Sequence, residues 1–292
     1  MLKIQNVSHV YPNGFRALDG VSLEVPLGMF GLLGPNGAGK SSLMRSIATL
    51  QVPSSGSIQF GEIDVLANPE ALRGTLGYLP QDFGVYPRVT AYELLNHIAV
   101  LKGYAARGER REVVEALLNK VNLWKFRDKA VAGFSGGMRQ RWGIAQALMG
   151  DPRLVIVDEP TAGLDPEESN RFLNLLAEIA ENVVVILSTH IVEDISKLCQ
   201  NTAMLMSGRI VKQGTPQELI REIQGRVWRK TIGKDELEAH RDAYNVIATR
   251  LYGGRTYIHV LADENPGEGF AAAEGSLEDA YFSTLINGRR AA

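Results

Sequence analysis

Between residues 29 and 50 an apolar stretch, a glycine-rich octapeptide and a helix-spaced run follow one another without a gap. The octapeptide is Gly34-Pro35-Asn36-Gly37-Ala38-Gly39-Lys40-Ser41, and its outer glycines are separated by four residues and followed by Lys and Ser. Glycines let successive backbone N–H groups curl around an anion with no Cβ in the way. Lys40 adds a point charge for the β- and γ-phosphates of a nucleotide, and the Ser41 hydroxyl, followed by Ser42, is placed to ligate Mg2+. A helix starting here also turns the positive end of its dipole toward the phosphates. A glycine-rich turn without function is the alternative, and the strand before and helix after argue against it. The spacing therefore predicts strand, phosphate loop and helix in that order.

The remaining pattern predicts an α/β fold. Residues 3–11 and 17–25 alternate polar and apolar around Pro12-Asn13-Gly14, as antiparallel strands do. Strands are expected at 57–60, 76–79, 154–157 and 183–188, with helices at 40–50 and 167–180. Residues 91–121 are helical in pattern, so 82–149 reads as a helical insert in the core. Apolar runs alternating with helices imply a mostly parallel sheet covered on both faces, beside an antiparallel β subdomain. A helix at 217–223 is expected to close a first unit, residues 1–224. Residues 225–292 then read as a small C-terminal α+β unit, with strands at 226–231, 246–251 and 256–261, helix near 235–243 and a last helix at 277–286.

Two carboxylates end the strand Leu154-Val155-Ile156-Val157-Asp158-Glu159. Asp158 is expected to hold Mg2+, and Glu159 to orient or deprotonate an attacking water. Taken alone, acids at a strand end could equally be solvated loop residues. His190 ends Leu187-Ser188-Thr189-His190 and should emerge on the same sheet edge, within reach of a γ-phosphate. A single histidine there is more often structural, and only its company reverses that. Gln81, after Tyr78-Leu79-Pro80, is placed to contact Mg2+ or water and means little by itself.

Phosphate loops serve many activities, so the choice falls to Phe134-Ser135-Gly136-Gly137-Met138-Arg139-Gln140-Arg141. It begins a helix and offers a second cluster of N–H donors with the Ser135 hydroxyl. One chain cannot easily close two such cradles on one phosphate. The run resembles the signature loop of the ATP-binding cassette (ABC) transporter ATPases, in which the cradle of one subunit closes on ATP held by the phosphate loop of the other. The resemblance covers about residues 2–220. In order it takes in Tyr11 for adenine stacking, the Walker A loop Gly34 to Ser41, Gln81, Ser135-Gly136-Gly137, the Walker B pair Asp158 and Glu159, Asp165 in Ala162-Gly163-Leu164-Asp165, and His190. It implies a P-loop NTPase core, ATP and Mg2+ as cofactors, ATP hydrolysis, and a head-to-tail dimer with a second ATPase subunit, here a second copy. Tyr11 by itself is weak, since an aromatic at a strand end usually packs. Phe134 and Met138 depart from the commonest signature, which has Leu and Gln there, and Met138 cannot supply an amide hydrogen bond.

Within that family, residues 135–141 and the tail Gly275-Ser276-Leu277-Glu278-Asp279-Ala280-Tyr281-Phe282 resemble bacterial ATPases that serve separate export permeases. The implied partner is an integral membrane permease and the implied direction is export. Phe83, Val85 and Tyr86 in the loop after Gln81 are expected either to line a groove for a permease helix or to fold back on the insert as a local anchor. A cassette acting on the ribosome or DNA, and a regulatory nucleotide-binding module, are the other classes. The insert lacks the length of a coiled coil, and Lys+Arg 31 against Asp+Glu 33 gives no electrostatic drive toward nucleic acid, so no nucleic-acid partner is expected. With a single cysteine, no apolar run near the roughly 20 residues of a membrane span, and no signal-peptide pattern at the start, the expected place is the cytoplasm, peripheral on the inner membrane face through the permease.

Overall fold

The computed structural model describes residues 1–291. A hairpin of β1 (Leu2–Val10) and β2 (Arg16–Val25) precedes β3 (Gly28–Leu33), which runs into the phosphate loop and α1 (Lys40–Ile47). Then come β4 (Ser55–Phe60), β5 (Ile63–Asp64), α2 (Pro69–Gly74) and β6 (Leu76–Leu79). Three helices, α3 (Ala91–Leu101), α4 (Arg107–Lys120) and α5 (Gly136–Ala147), lead to β7 (Leu154–Asp158), α6 (Pro166–Ala180), β8 (Val184–Thr189) and α7 (Val192–Leu198). After β9 (Asn201–Met206), β10 (Arg209–Gly214) and α8 (Pro216–Arg221), the chain finishes with β11 (Val227–Ile232), α9 (Leu237–Ala243), β12 (Val246–Tyr252), β13 (Arg255–Leu261), β14 (Ala271–Ala272) and α10 (Leu277–Ala291).

The central sheet has the order β10-β9-β3-β8-β7-β6 and is parallel except for β10. A second, antiparallel sheet β2-β1-β4-β5 packs against one of its faces. Side chains alternate across the strands: Leu154 and Ile156 enter the core shared with the antiparallel sheet and α1, whereas Val155 and Val157 enter the core shared with the helices. Register does the functional work. Leu33 lies opposite Thr189 and Asp158 opposite Ser188, so the phosphate loop, the two carboxylates and the histidine leave the sheet at one carboxyl edge.

The expected helical stretch 91–121 is made of two helices, α3 and α4. Gly103, at φ +92°, takes a left-handed turn between them, and α4 folds back on α3. α1 stops at Ile47, ahead of Thr49 at φ +59°, instead of reaching Leu50. Past Gly225, the sheet β12-β13-β11-β14 has a small core of its own around Ile232, Ile258, Val260 and Phe270. Its opposite side joins the main core through Val227 and Ile247, with Leu277, Ala280 and Tyr281 of α10. Residue 292 of the expected C-terminal unit lies outside the described residues. Among the described residues no helix is long and apolar enough to cross a membrane.

Candidate functional site

The phosphate loop is shaped by what its glycines allow. Gly39 has φ +107°, and a Cβ on it would overlap the Ala17 carbonyl oxygen; a Cβ on Gly34 would overlap that of Leu205. The loop is also tied from outside, since the Gly208 N–H donates to Ala38 O at 2.9 Å. α1 starts with no side-chain cap and no acidic residue in its first turn, which leaves its first N–H groups for an anion.

Lys40 is 5% exposed and folds across the loop, its ammonium donating to Gly34 O at 2.7 Å and Pro35 O at 3.3 Å. It also pairs with Glu159 Oε1 at 3.3 Å. The other oxygen, Glu159 Oε2, is 2.8 Å from His190 Nδ1. Glu159 reaches both because its backbone turns left-handed at φ +47° immediately after β7, while its N–H stays on Ser188 O at 2.8 Å. A non-glycine residue at positive φ is strained, and such strain collects at working sites. A buried ion pair brings little net stability after desolvation. The Lys40–Glu159 pair is therefore better understood as a preset charge arrangement than as a fold staple.

These groups face a cleft of about 510 Å3, within the usual range for a small-molecule site. Residues 36–42 form one wall, and Phe15, Ala17, Gln81, Glu159, Ala162 and His190 the rest. Tyr11, expected to stack on adenine, does not line this cleft. Its hydroxyl meets Ser42 Oγ at 3.0 Å and its ring lies 6.5 Å behind that of Phe15, nearly parallel. Phe15, 56% exposed, is the aromatic surface the cleft presents. Sequence reading missed it, although a Phe just past the Asn13-Gly14 turn was a signal.

Asp158 is 3% exposed and its Oδ1 has no hydrogen-bond partner. An orphaned buried carboxylate oxygen is costly unless something charged meets it. Burial, and then the Asp158 charge, push the neighbouring Tyr78 hydroxyl above its ordinary pKa. No group of three His, Cys, Asp or Glu residues forms a metal cage among the described residues. Ser41 and Gln81 line the cleft and Asp158, the last residue of β7, does not; the available donors are thus one carboxylate, the Ser41 hydroxyl and the Gln81 amide oxygen. They suit Mg2+, which is commonly held by one or two carboxylates together with water and substrate phosphates.

The second cradle lies elsewhere on the same chain. Ser135 caps α5, accepting from Met138 N–H at 3.2 Å, and both Ser135 and Gly136 are exposed. Gly136 borders a second, small cleft with Asp82, Gly163 and Leu164, which adjoins the Lys40 cleft through Gln81 and Ala162. Gly137 packs against the Glu168 carboxylate, leaving no room for a Cβ. None of Ser135, Gly136 and Gly137 lines the Lys40 cleft, and neither does Asp165, whose carboxylate caps α6 by accepting from Glu168 N–H at 2.9 Å. Met138 packs into the core of the insert. The loop after Gln81 resolves toward a local anchor at Phe83, whose ring stacks on Trp142 at 6.1 Å over the space left by Gly143. Arg139 covers that ring and donates to Phe83 O. Tyr86 of the same loop stays 65% exposed.

A family model described as ABC transporter matches residues 18–162. The phosphonates import ATP-binding protein PhnC 2 of Synechococcus sp. is 37% identical, over 78% of this chain and 90% of its own length. The uncharacterised ABC transporter ATP-binding protein YxlF of Bacillus subtilis is 33% identical over 98% of this chain and 99% of its own. The daunorubicin/doxorubicin resistance protein DrrA of Streptomyces peucetius is 32% identical over 87% of this chain and 75% of its own. Among solved structures, the dimeric cassette MJ0796 superposes with TM-score 0.68 at 26% identity, covering 74% of this chain and 98% of that one. The same protein is also known in a post-hydrolysis state with ADP and Pi, at the same similarity.

Proposed function

The chain belongs to the ABC transporter ATP-binding family, whose cassettes bind and hydrolyse ATP, and on that premise we propose that it drives a separate membrane permease through a site completed by a second copy of itself. The observation that carries this reading is the separation of the two cradles. The Lys40 cleft holds everything needed to grip phosphates except a cover, and the exposed Ser135-Gly136 end of α5 does not line that cleft.

In this reading the phosphates lie on the N-terminus of α1, with Lys40 moving from its loop carbonyls toward the γ-phosphate. The adenine rests against Phe15, which Tyr11 backs. Glu159 takes a proton from the attacking water, and His190, held on the same carboxylate, meets the γ-phosphate. Asp158, Ser41 and Gln81 would hold Mg2+, which supplies charge neutralisation at the β- and γ-oxygens. Residues 1–224 act as the ATP-binding unit, with 82–149 as its helical insert, and 225–292 as an accessory unit. The chain sits on the cytoplasmic membrane face through its permease, and exposed Tyr86 belongs to the contact with it.

A mixing experiment tests the composite site. Lys40→Ala and Ser135→Arg are each expected to be inactive. In an equal mixture half the dimers carry one of each chain and hold one intact site of two, so up to about a quarter of wild-type turnover should return. A mixture as inactive as its components refutes completion by a second copy. For direction we propose export, supported by the resemblance of the tail and by the resistance protein among the relatives; the phosphonate and methionine importers among them support the opposite. Everted vesicles carrying the chain and its permease should accumulate cargo on ATP addition, and ATP-driven loss of preloaded cargo reverses the assignment.

A further inference from the structure

Glu159 and His190 stand on different strands, and the hydrogen bond between their side chains is only as good as the spacing of the two segments behind them. On the near side that spacing is set by the sheet: Asp158 pairs with Ser188, and the Glu159 N–H reaches Ser188 O. Beyond the sheet edge both segments leave regular structure. One passes through Glu159-Pro160-Thr161, the other through His190-Ile191 into α7. The His190 side chain is 46% exposed and so is little restrained by packing.

A second link closes the ring. Thr161 Oγ1 donates to Asp194 Oδ2 at 2.8 Å, with Thr161 5% and Asp194 7% exposed. Thr161 lies two residues past Glu159, with the rigid Pro160 between them, and Asp194 lies four residues past His190, in the first turn of α7. Ile191 N–H is held by Thr189 Oγ1 at 2.9 Å, so little slack remains between β8 and α7. Burying a carboxylate is costly, and the Thr161 hydroxyl offsets part of that cost: burial pushes the Asp194 carboxyl upward and the donated hydrogen bond pulls it back. Replacing both partners by apolar groups of the same shape can be nearly neutral for stability, so the fold alone does not require this pair.

We propose that Thr161 and Asp194 are positioning residues for ATP hydrolysis, their buried hydrogen bond fixing the Glu159 carboxylate against the His190 imidazole. Neither touches the nucleotide cleft: of the two segments only Glu159, Ala162 and His190 line it. They act through the base, Glu159, by holding its carboxylate against His190. Mispositioning of about an ångström in such a pair can cost roughly 100-fold in rate. Removal of the tie should therefore reduce kcat and leave ATP binding alone.

The inference rests on Glu159 as the base, which Glu159→Gln tests by itself. Thr161→Val keeps the shape and deletes the donor; it should lower kcat about 10- to 100-fold with KM for ATP within about two-fold of wild type. Thr161→Ser, which keeps the hydroxyl, should restore kcat to near wild type. The decisive arm repeats Thr161→Val in a Glu159→Gln background. With the base already gone, the tie has nothing left to position, and the residual rate should not fall further. An equal fold-loss in both backgrounds, or a wild-type kcat in folded Thr161→Val, overturns the proposal. Should Thr161→Val fail to fold, Asp194→Asn, whose amide oxygen still accepts but without charge, replaces it and should show a smaller loss with the same disappearance in the Glu159→Gln background.

Discussion

Glu159→Gln changes one oxygen to an NH2 and leaves the side chain the same size, so it separates charge and basicity from shape. In the folded chain this carboxylate has two tasks, an ion pair with Lys40 at 3.3 Å and a hydrogen bond with His190 at 2.8 Å. The amide oxygen can keep one of them, and the charge is lost to both. Removal of a positioned base is expected to reduce single-turnover hydrolysis about 10²- to 10⁴-fold, or roughly 2.7–5.4 kcal/mol on the barrier at 1.36 kcal/mol per decade. Binding should go the other way. Lys40 loses its counter-charge but keeps Gly34 O and Pro35 O as ligands, so its ammonium is freer for phosphate and the Kd for ATP should be equal or lower. The assay pairs phosphate release from a single turnover with equilibrium binding of a fluorescent ATP analogue. Hydrolysis within about 10-fold of wild type would refute Glu159 as the base, and a parallel loss of binding would show that the ion pair instead holds the site together.

Three other perturbations test the surrounding structure. Burial, with the Asp194 charge nearby, pushes the Cys199 thiol up from 9.0 to about 12, so its thiolate is suppressed in the folded chain. Below pH 9 this has no effect on stability; as pH rises from 9 toward 12 the unfolded chain loses the proton first, and wild type should lose up to about 1.4 kcal/mol per pH unit relative to Cys199→Ala. Chemical denaturation across that range measures it, and rapid alkylation of native protein at pH 8 would contradict the burial. Phe83→Ala removes the half-buried ring between Arg139, Trp142 and Gly143 and should destabilise the insert by about 1–2 kcal/mol, below the range for a fully buried Phe. Tyr86→Ser should stay within about 0.5 kcal/mol in denaturant titration yet weaken co-purification with the permease. Equal stability losses would show that Phe83 is not the anchor.

What could be read from sequence followed from how local the cause was. The phosphate loop, β7 with its two acids and the Ser135 turn are each specified by a few consecutive residues, and they lie where the pattern placed them. β5, with two residues, is too short for a period to show; α2 and α7 are short helices of six and seven residues; and β9 and β10, though as long as β8, are fixed by pairing across the sheet, as in β9 against β3. The same holds inside the site. Lys40, Glu159 and His190 could be named one by one, but that one carboxylate bridges the other two depends on a positive φ and a strand register. Phe15 in place of Tyr11 at the cleft, and the Thr161–Asp194 tie across 33 residues, are three-dimensional facts with only faint signals in the chain.

The central claim is that this ATPase is completed by a second copy closing over ATP, and it can be weighed directly. Sedimentation of Glu159→Gln, which should bind ATP without consuming it, is predicted to give the 31.9 kDa monomer without nucleotide and about twice that mass with saturating ATP and Mg2+. Adding Ser135→Arg to the same chain should abolish the shift. A Glu159→Gln chain that binds ATP and still sediments at 31.9 kDa would contradict the account.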